Sequence, residues 1–162
     1  MATEPVILRA PQPGDFGWVV SRHGVLYGAE YGLNERFEGD VAAIVGAYVA
    51  AYQPERDRCW IAERDGVRCG SVFVAHDDDT TARLRLLLIE PELRGAGLGR
   101  RLVRTSIAFA RAAGYRRMVL WTHAILTAAR AIYESEGFVP IAIEPNERWG
   151  RPLISETWEL TL

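Results

Sequence analysis

The apolar run Leu86-Leu87-Leu88-Ile89 passes through Glu90-Pro91-Glu92-Leu93 into Arg94-Gly95-Ala96-Gly97-Leu98-Gly99-Arg100-Arg101. Gly95, Gly97 and Gly99 lack a Cβ, so the backbone there bends freely and lets an anion approach its N–H groups. A helix opening at this point adds unpaired first-turn donors and about half a unit of positive charge. Residue types and spacing together describe a cradle for a pyrophosphate. A dinucleotide fingerprint asks for a third glycine where Arg100 stands and for a place beside the first strand, whereas this loop follows roughly 80 residues of other structure. All 19 basic residues are arginine. A chain without lysine has no P-loop lysine, no kinase-type strand lysine and no amine for Schiff-base chemistry.

The 162 residues carry a formal charge of −2 and a pI near 5.9, with 49% hydrophobic and 25% charged residues. That composition fits one ordinary globular domain over residues 1–162, large enough to build a core without staples. It offers no basic field for nucleic acid or an anionic membrane, so small partners are expected. Met1 to Asp15 holds one arginine and no long apolar core, which does not read as a signal peptide. The longest apolar uncharged run, Val41 to Pro54, is shorter than the roughly 20 residues that span a bilayer. A cytoplasmic location is the expectation. Cys59 and Cys69 are too far apart for a CxxC site and lack a histidine cluster, and as flanks of one hairpin they point to opposite sheet faces. Neither a metal site nor a disulfide is expected.

The glycine loop needs a strand before it and a helix after it. Ala82 to Ile89 supplies the strand: its alternation Arg83-Leu84-Arg85-Leu86 gives way to a fully apolar run, as where a strand passes from half-exposed into a core. Gly97 to Ala113 supplies the helix, with Leu98, Leu102, Val103, Phe109 and Ala110 inward, and Gly114 ends it. Upstream, Val6 to Ala10 reads as a strand, and Asp15 as the cap of a helix through Trp18, Val19, His23, Leu26 and Tyr27. A second helix starts at Asn34-Glu35, runs through Tyr52 and closes at Pro54. Cys59 to Glu63 and Cys69 to Ala75 form a hairpin around Asp65-Gly66. Met118 to Thr122 is a strand, Thr127 to Glu136 a helix stopped by Gly137, and Phe138 to Ile143 and Thr157 to Leu162 the last strands. The order β-α-α-β-β-β-α-β-α-β-β is a mixed α/β fold without repeats or linkers.

The spacing Arg94-x-x-Gly97-x-Gly99 after strand and proline resembles the acyl-CoA pyrophosphate loop of the GNAT N-acetyltransferase superfamily. Beginning 34 residues after Arg94, the segment Ala128-Ala129-Arg130-Ala131-Ile132-Tyr133-Glu134-Ser135-Glu136-Gly137-Phe138 resembles the second family signature, Ala-x-x-x-Tyr-x-x-x-Gly-Phe. More narrowly, Phe16-Gly17-Trp18-Val19-Val20, Arg22-His23-Gly24, Glu30-Tyr31-Gly32, Arg58 to Glu63 and Thr157-Trp158-Glu159-Leu160 are similar to the acetyltransferase half of bacterial MarR–GNAT fusion proteins. The resemblance implies a central mixed, mostly antiparallel sheet of six to seven strands with about four helices, splayed between strands 4 and 5. It implies acetyl-CoA as co-substrate, transfer to a primary amine of a small molecule or peptide within a ternary complex, and dimerisation as a common assembly. An acyl-CoA sensor without catalysis is the alternative.

Residue by residue, the resemblance places the pantetheine arm on the backbone of Leu87, Leu88 and Ile89, and the pyrophosphate on amides of Arg94, Gly95, Ala96, Gly97, Leu98 and Gly99. Arg100 or Arg101 then pairs with a CoA phosphate, or belongs to a solvated helix face. Tyr133 matches the general acid that protonates the departing thiolate. Two departures stand out: Leu126 occupies the place of a frequent asparagine, and Arg83 that of a glutamate some relatives use as base. For an amine with a pKa near 10.4, presenting the free base at pH 7 costs roughly 4 to 5 kcal/mol, so a base or water chain is expected. Glu30 is the leading candidate, with Glu90 and His123 behind it. Specificity is expected from the segment Trp18 to Phe37 and a long loop Glu144 to Ser155. His23, Tyr27 and Tyr31 share one helix face with Glu30 beside them, which packs on the core or forms an aromatic slot for a small cationic amine.

Overall fold

The computed structural model describes residues 4–162; residues 1–3 of the expected domain lie outside the described residues. After the first strand β1 (Ile7–Arg9), helices α1 (Asp15–Tyr31) and α2 (Glu35–Ala50) cover one sheet face in part; β2 (Arg58–Arg64), β3 (Val67–His76) and β4 (Thr81–Ile89) then form a meander. A 3-10 turn at Pro91–Leu93 leads to α3 (Leu98–Ala112), followed by β5 (Arg117–His123), α4 (Thr127–Ser135), β6 (Val139–Asn146) and β7 (Leu153–Thr161). The seven strands lie in the order β1-β2-β3-β4-β5-β7-β6, and every neighbouring pair is antiparallel except β4–β5. The expected mixed, mostly antiparallel sheet with four helices is the observed one.

Strand alternation divides the buried side chains between two cores. On one face Val72, Val74, Leu84, Met118 and Leu120 pack with Leu102, Val103 and Ile107 of α3 and with Tyr133 of α4. On the other, Cys59, Ile61 and Phe73 pack with Val19 of α1 and Phe37, Val41 and Val45 of α2. Cys59 and Cys69 fall in different cores and are both free thiols, as strand parity predicts.

Three local expectations are corrected. Asp15 does not cap α1: the cap position is Gly14 in the left-handed region (φ 95°), without a side-chain cap. Asp15 is instead fully buried and binds Arg9 at 2.7 Å, Arg68 at 2.6 Å and the Gln12 amide. The second helix ends at Ala50, leaving Tyr52 beyond it. The long loop expected from Glu144 to Ser155 is mostly strand, with β6 reaching Asn146 and β7 starting at Leu153. The polar residues that hid this extension are buried with partners from elsewhere: Ser155 beside Asn146, and Glu156 beneath the Arg130 guanidinium at 2.8 Å.

Burial pushes the Asp15 carboxyl up, but its bonds from Arg9, the Gln12 amide and Arg68 outweigh this and hold it at about 2. Its contribution to stability is therefore complete above its unfolded pKa of about 3.9 and is lost as the pH falls toward 2. Asp15→Asn, which leaves Arg68 without its carboxylate and Arg9 with Glu63 alone, is expected to cost about 3 kcal/mol at pH 7 in urea unfolding and to flatten the acid dependence between about pH 4 and pH 2.

Candidate active site

The parallel ladder between β4 and β5 consists of Thr81↔Arg117, Ala82↔Met118 and Arg83↔Val119, and ends there. Beyond it β5 stays paired with β7 up to His123, while β4 stays paired with β3. Ser71 faces Leu88 and Phe73 faces Arg85, so Leu86 and Leu87 together oppose Val72 as a bulge. Leu86 sits at φ 55°, a conformation that costs a non-glycine residue about 1–2 kcal/mol, and its carbonyl accepts a hydrogen bond from Ser71 Oγ at 2.9 Å. The two strands diverge around this bulge.

A cavity of about 550 Å³ occupies the splay. Leu87, Leu120, Thr122, Leu126 and Ala129 wall the side toward α4, and Tyr133 closes it. The opposite wall is a chain of aromatic contacts. His23 stacks on Tyr27 (5.6 Å between ring centres), Tyr27 on Phe37 (4.8 Å), and Phe37 meets Trp149 edge-on (5.1 Å). Trp149 in turn meets His123 (5.1 Å) and Trp121 (5.8 Å). Trp149 belongs to the turn between β6 and β7, which docks on the α1–α2 junction. Its indole N–H donates to Asp40 at 2.8 Å, its carbonyl accepts from the Asn34 amide, and Arg151 donates to the Tyr31 carbonyl.

Tyr133 is buried between Phe138 and Trp158. Burial, reinforced by the neighbouring Tyr27 phenol, pushes its hydroxyl well above the ordinary tyrosine range, so it holds its proton at neutral pH. His123, with Ser155 Oγ near Nδ1 at 3.3 Å, is pushed down to about 4 by burial, against a smaller opposing effect of Glu156. His23 is likewise pushed down to about 4 by burial, and its Nδ1–H donates to the Val19 carbonyl at 2.7 Å. Both imidazoles are neutral at pH 7 and weak bases.

The glycine loop has the expected form with divided roles. Gly95 (φ 81°) and Gly97 (φ 85°) occupy left-handed conformations with open space around them, and Gly97 starts α3 without a side-chain cap, leaving first-turn amides unclaimed. Gly99 serves packing: a Cβ there would lie 2.8 Å from Ile132 Cδ1 of α4. Ala96 is exposed in the loop, while Leu98 and Leu88 are buried. The Ile89 carbonyl accepts from Arg94 Nε at 3.3 Å. Arg101 is engaged by the Val6 carbonyl at 2.6 Å, whereas Arg100 contacts only the α4 end, at Ser135 and Glu136, and is half-exposed.

Two of the three candidate bases are committed elsewhere. Glu90 binds Arg22 of α1 through both carboxylate oxygens. Glu30 lies outside the cavity wall and binds Arg94 at 2.8 and 3.0 Å. These pairs clamp α1 to both ends of the strand-to-helix connection. The aromatic face exists, but without Glu30. The two segments expected to set specificity do line the cavity, through Phe37, Arg148 and Trp149, and residues that sequence reasoning passed over, among them Arg85, Asp40 and Trp121, line it with them. For Arg85 the signal was present, because the alternation Arg83-Leu84-Arg85 fixes a shared face; for Trp149 only the surrounding segment was singled out.

The model of the acetyltransferase (GNAT) family matches residues 30–138. The chain belongs to the GNAT acetyltransferase family. Among GNAT relatives, human N-acetyltransferase 8 is 39% identical over 94 residues, covering 54% of this chain and 41% of that protein. Rat N-acetylaspartate synthetase is 35% identical over 100 residues, covering 61% and 32%. The mycothiol acetyltransferase of Beutenbergia cavernae is 34% identical over 88 residues, covering 54% and 29%. The chain thus spans less than half the length of these curated relatives. A GNAT-fold acetyltransferase from Salmonella typhimurium, solved with acetyl-CoA, superposes with a TM-score of 0.75 at 24% identity, covering 98% of this chain and 95% of that one. The ribosomal-protein-alanine N-acetyltransferase of Brucella melitensis gives 0.77 at 17% identity, covering 96% and 99%. These likenesses show the shared fold.

The clamp and the loop make separable predictions for a GNAT protein. Gly97→Ala forces a left-handed alanine and is expected to weaken acetyl-CoA binding about tenfold in calorimetry. Glu30→Gln, by releasing Arg94, is expected to raise the acetyl-CoA Kd a few-fold while leaving turnover within about twofold; turnover slowed about 100-fold or more would instead identify Glu30 as the base.

Proposed function

We propose that the chain is one acyltransferase domain that moves an acetyl group from acetyl-CoA to a primary amine by direct attack in a ternary complex. The observation that carries this reading is the protonated Tyr133 phenol closing the splay opposite an aromatic wall, at the end of a strand that leads to an uncapped, glycine-opened helix. The residues fit the co-substrate. Gly95 to Arg100 would hold the pyrophosphate with backbone amides, and the unpaired edge of β4 around Leu87 would receive the pantetheine arm. Acetyl-CoA supplies an activated thioester, and Tyr133 donates its proton to the departing sulfur. The size of the cavity accords with a small or peptidic acceptor. Among the described residues no helix is long and apolar enough to cross a membrane, and a cytoplasmic setting belongs to the proposal.

The amine is taken up as its free base. Glu30 and Glu90 are held by arginines, and a neutral imidazole near pKa 4 accepts a proton from an ammonium less readily than water-mediated release into bulk solvent. Arg83 is paired with Asp77, so Arg85 and Arg148 stand against Asp40 and Glu144 around the cavity, and no excess of negative charge holds the amine as its cation. The sensor alternative lacks support: the relatives are named as enzymes, and Tyr133 stands where a general acid is needed. The finer likeness to MarR–GNAT acetyltransferase halves rests on the sequence segments alone.

Two measurements test this. Tyr133→Phe is expected to slow thiol release at saturation about 100-fold while acetyl-CoA binds within threefold of wild type; unchanged turnover would remove the acid role. With acceptors of different basicity, kcat/KM is expected to rise about tenfold per pH unit up to the pKa of each amine, so the break moves with the acceptor; a break fixed for every acceptor would show an enzyme base.

A further inference from the structure

Arg83 and Arg85 share the face of β4 that looks toward α1 and α2, opposite Ala75 and Phe73 of β3. Arg83 is held by Asp77 through two hydrogen bonds of 3.0 and 3.3 Å. Arg85 has no such partner: among the described residues it makes no ion pair and no side-chain hydrogen bond, although it is half-buried. No buried side-chain nitrogen in the described residues is sealed off without a partner, and Arg85 stands between two cavities, the splay cavity and a second one of about 430 Å³ lined by Asp57, His76 and Asp77, so its N–H groups are accessible from the space it lines. Burial and the neighbouring Arg83 disfavour its charge, yet a guanidinium stays protonated. The other charged groups around it are engaged or on the far wall. Asp77 is taken by Arg83, Asp57 accepts the Gln53 and His76 amides, Asp40 accepts the Trp149 indole, and Arg148 lies over Trp121 at 5.6 Å, leaving Glu144 on the β6 side.

A half-buried fork of donors with no counter-ion calls for a planar anion. The phosphates of the co-substrate are not that anion, because their cradle lies past Ile89, at the head of α3 on the opposite sheet face. From Arg85 to Ile89 is four residues, roughly 13 Å of strand. We propose that the acceptor is a small amino carboxylate, an amino acid, whose carboxylate is bound by Arg85 while its amine lies within the aromatic wall near Tyr133. This inference rests on the acetyl-transfer reading and names its substrate class. It replaces the cationic slot expected from the sequence, since Glu30 lies outside the cavity wall while the Arg85 guanidinium of β4 lines it.

The test uses the full chain with acetyl-CoA and three sets of acceptors: the 20 protein L-amino acids, about as many matching amino-acid amides, and the corresponding decarboxylated amines. For the best amino acid, kcat/KM is expected to exceed that of its amide and its decarboxylated amine by about 100-fold or more. Arg85→Gln should remove most of that preference, leaving the amide rate within about threefold and acetyl-CoA affinity unchanged; Arg85→Lys should restore part of it. Equal use of acid and amide by the wild-type protein, or an equal loss on both in Arg85→Gln, overturns the carboxylate site and leaves acetyl transfer standing. Absence of thiol release with every acceptor overturns acetyl transfer, and calorimetry then decides the site. Amino-acid binding to the CoA-loaded protein that Arg85→Gln abolishes supports it, and absent or Arg85-independent binding overturns it.

Discussion

The structure depends on a parallel ladder that stops early. β4 and β5 pair over three positions and then part, although each remains bonded to its other neighbour. Their facing edges beyond Arg83 and Val119 are left outside the sheet's ladder and face the cavity. An extended ligand bearing amides is the natural occupant. The bulge at Leu86 and Leu87 keeps the edge open: β4 turns away from β5 there while Ser71 Oγ holds the Leu86 carbonyl against β3. The sheet thereby becomes a partition with a passage, and both cores contribute walls to one cavity.

Around that passage the charges are distributed so that acids brace and arginines remain. Arg22–Glu90 and Glu30–Arg94 fasten α1 across the strand-to-helix connection, Asp15 ties β1 and β3 to the head of α1, and Glu156 with Arg130 ties β7 to α4. Most of these contacts are forked, using two guanidinium nitrogens at once, a geometry lysine does not offer. Consuming Glu30, Glu90 and Glu156 in bracing leaves Asp40 and Glu144 as the acids that line the chamber, with Arg85 unpaired. The missing lysine is thus matched by a structure that uses arginine for its bracing contacts.

Much of this architecture was readable in advance. The glycine loop between a buried strand and an amphipathic helix, the Ala129-to-Phe138 signature and the Asp65-Gly66 hairpin each carry local signals strong enough to survive tertiary context. Where reading failed, burial of polar groups was responsible. Asp15 resembled a helix cap because a lone carboxylate before an apolar stripe usually is one, but two distant arginines claimed it. Ser155 and Glu156 resembled loop residues because their partners, Asn146 and Arg130, meet them only in the folded sheet.

The site divides along the same line. Sequence alone determined the glycine loop at the head of α3 and the place of Tyr133 in its helix signature, because both are encoded within contiguous stretches. Tertiary structure decided which acids remain free, which arginine stays unpaired and that Trp149 lines the chamber. Those properties depend on pairings over separations such as Arg22 to Glu90 and Asp40 to Trp149, and a charge's role is set by the partner that reaches it first.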